Sequence, residues 1–400
     1  MFRNLKAAAF AGLIGAVAMF GVIAPVAAQD KQPIKIGFGI AETGPLGPNG
    51  KSALLAMEIW VEETNAKGGL LGRPVQLVHY DDQSNPSTVP GIYSKLLDVD
   101  KVDVIVGGYG TNMLAPAMPV AMQRKKVLIG LLGNAVNSAF NYPNYFSMMP
   151  TGPDPNPSFT KDFFDVAVRQ NPKPKTVAIV AADAEFGLQA SQGARENAKA
   201  TGLTVVYDRR YPSATTDLVP VVRAVNETGF KPKMIGGAMV GLQSTAIKAR
   251  LGPLLNGWTN YDYWLPVPKM QFAGVDDLMK KYQARAAVEG VDALGYYMVP
   301  WAYSQLQVLQ QAVVATTSLD DAKLGDYIRA NTFTTVLGDV RFGSNGEWAR
   351  SRMLQVQFQN IKSNDLAQFK DISTQVVVAP TEYESGKLIY PYEKALPSSR

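Results

Sequence analysis

An α/β fold built on parallel sheets is what this 400-residue sequence predicts. Its first 80 residues contain a short apolar strand, a loop rich in glycine and proline, an amphipathic helix and a second strand, at 34–40, 43–50, 53–65 and 75–79. Two glycines follow the helix and can take the left-handed conformation that ends one. The segments therefore form a β-loop-α-turn-β unit, and its first loop lies where such folds place ligands.

The same alternation continues and divides the chain in two. The first series has further strands at 102–106, 127–131 and 145–148 and a helix at 90–98, and the second has strands at 176–180, 203–207 and 234–238. Residues 150–157 separate the two series, because the prolines and the glycine there break any regular element. Beyond a second break at 266–268, helices are expected at 275–289, 296–316 and 319–331, and strands at 354–358 and 376–378.

The first 28 residues have the pattern of a secretory signal. Arg3 and Lys6 form a basic start, residues 7–24 are apolar, and the small residues before position 29 suit a cleavage site after Ala28. An uncleaved membrane anchor is the alternative, because about 20 apolar residues suffice to span a bilayer. A lipid-modified cysteine is excluded, since the chain contains no cysteine.

Composition argues against a nucleic-acid binder and against most enzymes. Without residues 1–28, 37 basic and 34 acidic residues leave a net charge of +3, and no run of lysines and arginines is longer than the three residues 124–126. With no cysteine and one histidine, His79, thiol chemistry and zinc sites rich in nitrogen or sulfur are excluded. Asp81 and Asp82 point to opposite faces of an extended strand, which favours capping of the next turn over a metal site. No phosphate loop or complete dinucleotide fingerprint is present, so we expect no cofactor.

Three short motifs carry a resemblance to a known family. They are T-G-P at 43–45, N-A-K-G-G-L-L-G-R-P-V at 65–75 and H-Y-D-D-Q-S-N-P at 79–86. In this order they resemble the amino-terminal lobe of the periplasmic solute-binding proteins of the leucine/isoleucine/valine-binding family, which serve ABC importers. The resemblance covers nearly the whole chain after residue 28.

The resemblance implies the type I periplasmic-binding-protein fold, in which two Rossmann-like lobes with parallel sheets are joined by a three-crossing hinge. The crossings would lie near 149–151, 266–270 and 332–338. Lobe one would comprise residues 29–149 and 270–333, and lobe two would comprise 150–269 and 334–400, with residues 1–28 as the signal peptide. Composition shows the breaks but does not assign each segment to a lobe.

One departure from the family pattern concerns lobe two. Between the strands at 203–207 and 234–238 the family has a helix, a strand and a helix, whereas this chain has room for one helix, at 218–228 with Asp217 as its cap. Lobe two is therefore expected to be one β-α unit short. Either strand 234–238 then pairs beside strand 176–180, or a gap between them exposes an apolar edge.

The strongest local site is the glycine-rich stretch 107–112, between a predicted strand and a predicted helix. Glycines let the backbone approach a ligand, and a helix amino terminus favours negative charge. In the family this loop holds a ligand carboxylate, and the resemblance transfers that role to Gly110 and Thr111, next to Tyr109. A plain tight turn is the alternative. Two prolines in the following helix predict a kink or a late start.

Further residues are expected in the cleft from the next strand end and from lobe two. They are Gly133, Asn134, Ala135, Asp183 and Phe186. The first three follow strand 127–131, where a structural turn is the alternative. By resemblance to the family's aspartate-x-x-tyrosine-glycine stretch, Phe186 would form an aromatic lid, although a core position is equally compatible.

Two substitutions point away from amino-acid ligands. Family members that bind α-amino acids place a glutamate near the position that Ala238 and Met239 occupy, and a desolvated ammonium group without a counter-charge is costly. Asn49 stands where amino-acid binders often place an aromatic residue. Asp183 or Glu185 could substitute as the counter-charge. Carboxylates without an amine are therefore slightly favoured over amino acids.

The sequence thus predicts a monomeric, exported solute-binding protein that captures a small carboxylate between two lobes and presents it to an ABC permease in the inner membrane. No bond chemistry is expected. A periplasmic ligand sensor is one alternative, and a binding-impaired relative with a shortened second lobe is another. An enzyme on the same architecture, with Asp183 or Glu185 as general base, is the remaining one.

Overall fold

The computed structural model describes residues 32–212 and 219–396. The export segment 1–28 and Asp217, the expected helix cap, lie outside the described residues. Within the described ranges, none of the helices is long and apolar enough to cross a membrane.

Five parallel strands form the sheet of lobe one. They are β1 (Ile34–Ile40), β2 (Val75–Asp81), β3 (Val104–Tyr109), β4 (Leu128–Leu131) and β5 (Tyr145–Ser147). Their order across the sheet is β2-β1-β3-β4-β5, and every neighbouring pair is parallel. The order reverses between β1 and β3, so the loops after these strands meet at the edge where doubly wound folds bind ligands.

Three helices connect the first strands, and their boundaries correct the sequence-based ones. The helices are α1 (Gly47–Ala66), α2 (Val89–Asp98) and α3 (Thr111–Gln123). Helix α1 begins at Gly47 rather than at residue 53, with a proline in its first turn, where the missing N–H has no cost. Strand β3 extends to Tyr109, so Gly107 and Gly108 belong to the strand and not to a loop. The late start considered for α3 is wrong, because both of its prolines lie inside the helix.

Lobe two continues the alternation of helices and strands. Its elements are α4 (Pro155–Val168), β6 (Thr176–Asp183), α5 (Glu185–Thr201), β7 (Thr204–Pro212), α6 (Val219–Glu227), β8 (Ile235–Gly237), α7 (Thr245–Leu251) and β9 (Trp258–Asp262). Strands β6 and β7 form a separate two-stranded parallel sheet, whereas β8 pairs in parallel with β9.

The sheet of lobe two is interrupted between β6 and β8. Among the described strands, β6 pairs only with β7 and β8 pairs only with β9, so of the two expected outcomes the structure has the gap. Apolar side chains around it are exposed, including Val180 at 60% and Tyr207 at 51%. A contributing cause is that Gly236 and Gly237 have φ angles of 135° and 137°, a region that favours glycine and interrupts a regular strand. Strand β8 is accordingly three residues long.

The alternation β6-α5-β7-α6-β8-α7-β9 repeats that of β1-α1-β2-α2-β3-α3-β4 in lobe one. With β8 beside β6, the strand order of lobe two would match that of lobe one. The structure therefore shows that β6 and β8 do not pair with each other. That lobe two lacks a whole β-α unit stays a prediction.

After β9 the chain returns to lobe one and then to lobe two. Helices α8 (Val275–Glu289) and α9 (Val299–Thr316) pack against α1, and α10 (Asp321–Ala330) packs against α9. A hairpin of β10 (Thr332–Thr335) and β11 (Gly338–Arg341) follows. Strands β12 (Leu354–Phe358) and β13 (Gln375–Ala379) then extend the sheet of β8 and β9 in the order β13-β12-β9-β8. Because β12 is antiparallel to β9, this sheet is mixed rather than purely parallel. The residue numbers assigned to the two lobes stay predictions.

A buried arginine contacts segments near all three expected crossings. The backbone N–H of Arg352 donates to the Pro150 carbonyl at 2.8 Å, and its Nη1 donates to the Leu337 carbonyl at 2.5 Å. Its guanidinium lies 5.3 Å from the ring centre of Phe272 and 4.7 Å from that of Trp348. Burial lowers the pKa of Arg352 to about 10, which leaves it charged at neutral pH. Cation–π contacts and the Leu337 carbonyl thus stabilise a buried charge at the junction of the lobes.

Glu347, close to this arginine in sequence, predicts a pH-dependent stability. Neither of its carboxylate oxygens has a hydrogen-bond partner among the described residues, and burial raises its pKa to about 8 from an ordinary value of 4.5. Between these pH values the folded protein binds a proton that the unfolded chain has released, so the free energy of unfolding should fall as pH rises from about 4.5 to about 8. We expect Glu347→Gln to remove this part of the pH dependence.

Urea unfolding of both proteins at about pH 5 and about pH 8 measures the effect. Half-buried Asp162 and buried Asp262, whose pKa values desolvation raises to about 6, contribute equally in the two proteins. Only the difference between the proteins therefore reports on Glu347. If the free energy of unfolding of Glu347→Gln falls between these two pH values by as much as that of the wild type, the prediction is wrong.

Candidate functional site

The two lobes touch along the carboxyl edges of their sheets. The side-chain amide of Asn134, after β4, donates to Oδ1 of Asn156 in α4 at 3.2 Å. The backbone N–H of Phe186, in the first turn of α5, donates to Oδ1 of Asn112 in α3 at 3.2 Å. Side chains that follow strands in lobe one therefore contact the first turns of helices in lobe two.

Three buried tyrosines form a hydrogen-bonded chain across this junction. The hydroxyl of Tyr297, before α9, lies 3.2 Å from that of Tyr109 in β3 and 3.0 Å from that of Tyr261 in β9. Asn49 extends the chain, because its Nδ2 donates to the Tyr109 hydroxyl at 3.3 Å. Burial raises the pKa of Tyr109 to about 12, so the hydroxyl stays neutral and can both donate and accept. We call Tyr109, Tyr297 and Tyr261 the interlobe tyrosine chain.

Thr111 is buried at the start of α3, where its hydroxyl accepts the Asn134 N–H at 2.9 Å. Its own hydroxyl hydrogen remains available to donate. Gly110 precedes it with φ at 93°, a conformation that favours glycine, and its N–H donates to the Leu131 carbonyl at 3.0 Å. The Gly110 N–H is thus already in use, and the groups suited to a carboxylate are the Thr111 hydroxyl and the N–H groups of the first turn of α3.

The residues after β4 combine packing with contact to lobe two. A side chain on Gly133 would place its Cβ 2.4 Å from Leu114, so close packing requires glycine there. Asn134 is fully buried, and its Oδ1 has no partner among the described residues. Ala135 is buried and has φ at 49°. Of the three, Asn134 is the one whose polar atoms lie at the junction.

Three of the predicted residues of lobe two lie in half-buried positions. Phe186 is half-buried and packs edge-on against Phe159, with ring centres 5.2 Å apart. Ala238 and Met239 are also half-buried, and the Met239 N–H donates to Oδ1 of Asn260 at 2.9 Å.

Asp183 is not brought into this junction. Its side chain is 60% exposed and lies 3.6 Å from Arg210 of β7. It comes from the detached pair β6 and β7, which explains why a residue at the expected strand end lies apart from the others.

The sequence-based list missed Tyr261, Tyr297, Gln243 and Asp292. The run Tyr-Asp-Tyr-Trp at 261–264, directly before a proline break, was an available signal for the first. Tyr297 was assigned to a helix starting at 296, whereas α9 starts at Val299 and leaves it in the preceding loop. Nothing in the local sequence marks the other two.

The acidic groups near the tyrosine chain have partners. Both carboxylate oxygens of Asp292 accept hydrogen bonds, from the Thr245 N–H and hydroxyl and from the Leu294 and Gly295 N–H groups, at 2.6, 2.8, 3.1 and 2.9 Å. Asp262 accepts from the Tyr263 N–H and from Gln375 Nε2, each at 2.8 Å. As the neighbour of Tyr261 on a strand, Asp262 points to the opposite face of the sheet. Asp262 is therefore turned away from the junction, whereas Asp292 keeps its charge and already accepts four hydrogen bonds.

A small cavity lies between the lobes. Its lining includes Asn49, Ser52, Gln243, Ser244, Tyr297 and the charged Asp292, and its volume is about 10 Å³. That is room for about one water molecule. The lobes are closed on each other, so entry of a small molecule requires that they separate.

Comparison with known proteins agrees with this architecture. The family described as periplasmic binding protein matches residues 33–227. The chain is 25% identical to Leu/Ile/Val-binding protein homolog 8 of Brucella abortus (strain 2308), over 88% of this chain and 94% of that protein. It is 24% identical to the Leu/Ile/Val-binding protein of Escherichia coli (strain K12), over 79% of this chain and 88% of that protein.

Solved structures share the fold at low sequence identity. A periplasmic binding protein from Burkholderia mallei has a TM-score of 0.72 and 18% identity, covering 92% of this chain and 96% of its own. An ABC-transporter solute-binding protein from Rhodopseudomonas palustris BisB5, in complex with 3,4-dihydroxybenzoic acid, has a TM-score of 0.68 and 16% identity, covering 83% and 94%. The branched-chain amino acid transporter substrate-binding protein LivJ from Streptococcus pneumoniae, in complex with isoleucine, has a TM-score of 0.68 and 16% identity, covering 90% and 100%.

The two α/β lobes have the type I fold of these periplasmic binding proteins. The chain is similar to the periplasmic binding proteins over residues 33–227, and its relatives confirm the resemblance to the leucine/isoleucine/valine-binding family. Its relatives are binding proteins rather than enzymes, and the family implies a periplasmic location.

Proposed function

We propose that the protein is the substrate-binding component of an ABC transporter, which captures a small carboxylate between its lobes and delivers it to a membrane permease. The observation that carries this proposal is the junction of the lobes at the amino terminus of α3, where the buried Thr111 hydroxyl accepts the Asn134 N–H and the Asn134 side chain donates to Asn156. No bond chemistry is assigned to the site. The protein acts as a monomer whose closed form is the one presented to the permease.

A carboxylate is the ligand group that this site suits best. The first turn of α3 carries N–H groups without intrahelical partners, and the partial positive charge of a helix amino terminus favours an anion. The Thr111 hydroxyl adds a directed donor at the same place. Isoleucine and 3,4-dihydroxybenzoic acid, bound by two of the similar structures, both carry a carboxylate.

Ligands without an α-amine are favoured over amino acids. Ala238 and Met239 offer no charge, and Asp292, which lines the cavity, already accepts four hydrogen bonds from the protein. Burying an ammonium group without a counter-charge would cost several kcal/mol. The aromatic rings of Tyr261 and Phe186 offer an apolar surface to an aromatic or aliphatic acid.

A matched pair of ligands tests this proposal. Leucine and 4-methylpentanoate differ only in the α-amine, so thermal shift and calorimetry on refolded, ligand-free protein should favour the second. The same screen includes benzoate, 3,4-dihydroxybenzoate, dicarboxylates and fatty acids. A hit raises the apparent free energy of unfolding by about 2.7 kcal/mol at a hundredfold excess over Kd. Micromolar binding of leucine that requires its amine would defeat the ligand class, and no binding of any carboxylate would defeat the function.

Export is the second part of the proposal. Arg3, Lys6 and the apolar run that follows support a cleaved signal, so the protein taken from the native envelope should begin at Gln29. Mass spectrometry of its amino terminus measures this. Recovery of the intact chain from the cytoplasm would contradict it.

A further inference from the structure

A short, buried contact joins the lobes outside the tyrosine chain. Thr245 begins α7, which packs in lobe two, and it is buried. Asp292 lies between α8 and α9, which pack against α1 of lobe one. The Thr245 N–H donates to Oδ2 of Asp292 at 2.6 Å, and the Thr245 hydroxyl donates to Oδ1 at 2.8 Å. Both bonds are made to a carboxylate, which makes them stronger than bonds between neutral groups.

Contacts within lobe one are enough to hold Asp292 in place. Its Oδ1 accepts the N–H groups of Leu294 and Gly295 at 3.1 and 2.9 Å, and its own N–H donates to the Ser52 hydroxyl at 3.4 Å. The Tyr282 hydroxyl donates to its carbonyl at 2.8 Å. All four partners stay with Asp292 when the lobes separate. The carboxylate therefore remains oriented towards the position that Thr245 occupies in the closed form, and little ordering is required when the contact forms again.

We propose that Thr245 and Asp292 form a latch that holds the lobes closed in the ligand-free protein. Three other polar contacts between the lobes join neutral groups: Asn134 with Asn156 and Phe186 with Asn112 at 3.2 Å, and Tyr261 with Tyr297 at 3.0 Å. The latch is the shortest of these contacts and the one that involves a charge. It therefore makes the largest polar contribution to the closed state among them.

The latch affects ligand affinity through the population of the closed state. This consequence rests on the proposed function, in which closure is part of ligand capture. A ligand that needs the closed form binds with an apparent Kd that is inversely proportional to the closed fraction. Asp292 and Thr245 thus act as positioning residues, which tune affinity through the closure of the lobes.

The latch is tested on ligand-free protein, because its effect on the lobes does not depend on which ligand binds. The chain has no cysteine, so Lys323→Cys in lobe one and Lys370→Cys in lobe two, both at exposed positions, introduce the only two labelling sites. Pulsed EPR of spin labels at these sites measures the distances of the open and closed forms. In Thr245→Val and in Asp292→Asn, the ratio of open to closed protein should rise about tenfold or more, because bonds to a charged group are lost.

A matched control is available in the same lobe. Thr228 is exposed directly after α6, and its hydroxyl donates to the Ala224 carbonyl of that helix at 2.8 Å, so Thr228→Val makes the same chemical change away from the junction. Its open-to-closed ratio should equal that of the wild type. Thr245→Val leaves the hydrogen bonds within the Asp292 loop intact, so it decides the question if Asp292→Asn fails to fold.

Two results would overturn the latch. One is an unchanged distance distribution in Thr245→Val, and the other is a wild-type protein without a detectable closed population when ligand is absent. Failure of every carboxylate in the screen would refute the proposed function and leave these distance measurements unaffected. The two proposals can therefore fail separately.

Discussion

Replacing Thr111 by valine is expected to weaken binding of the best carboxylate found in the screen about ten- to a hundredfold. A hydrogen bond to a charged group contributes roughly 1.5 to 3 kcal/mol, and valine keeps the shape of threonine while removing the hydroxyl. Isothermal titration calorimetry with the wild type and the variant measures the change. Unchanged affinity would remove Thr111 from the ligand site.

The structure adds a second effect to the same substitution. The Thr111 hydroxyl accepts the buried N–H of Asn134, so valine leaves that donor unpaired. An unsatisfied buried donor costs about 1 to 3 kcal/mol, which urea unfolding should register as a loss of stability. Thr111→Ser is the matched control, because it restores the hydroxyl and lacks only the methyl group. Serine should recover most of the affinity, whereas a purely structural role would leave binding equal in the two folded variants.

The alternation of strands and helices was predictable from the sequence because its signals are local. Helix 275–289 and strand 354–358 have the same limits in the sequence-based assignment and in the structure. Helix starts were less reliable, since α1 begins at Gly47, where proline and glycine suggest a loop in the absence of tertiary contacts. A side chain on Gly50 would place its Cβ 1.8 Å from the Ala41 carbonyl oxygen, a constraint that arises only from packing.

The site was only partly predictable, because its parts are distant in the chain. Gly110 and Thr111 carry a local signal, a glycine-rich end of a strand followed by a helix. The tyrosine chain carries no such local signal, because Tyr109 and Tyr297 are 188 residues apart in the sequence. They meet only because the segment that contains α8 and α9 packs back on lobe one. The Asp292 and Thr245 pair is non-local in the same way, at 47 residues. Residues joined across lobes have no periodicity that a single sequence reveals.

The interrupted sheet leads to the prediction with the largest expected effect. In β1 every residue except Lys35 is buried, whereas in β6 only Ile179 is buried. Strand β7 has no buried residue, and β6 lacks a neighbour on its other side among the described strands. Because local opening costs little where backbone hydrogen bonds are exposed and apolar contacts are few, we expect faster amide exchange across 175–262 than across 34–131.

Hydrogen exchange read by mass spectrometry should place the fastest peptides in β6 and β7. Strand β9 is buried throughout and serves as a slow control within the same lobe. The interrupted sheet should also lower ligand affinity below that of a relative with a continuous second lobe. Uniformly slow exchange in both lobes, together with submicromolar binding, would show that the strands close the sheet in solution.

A matched pair of substitutions measures the difference between the sheets of the two lobes as a change in the free energy of unfolding. Val106 in β3 is fully buried and Val180 in β6 is 60% exposed. Val106→Ala removes buried methyl groups and should lower the free energy of unfolding by about 2 kcal/mol, from lost burial plus the cavity left behind. Val180→Ala should change it by no more than about 0.5 kcal/mol, the usual range for exposed positions. If β8 and a helix pack against β6 in solution, the two substitutions should lower the free energy of unfolding by similar amounts. The exposed faces of β6 and β7 would then be part of the core.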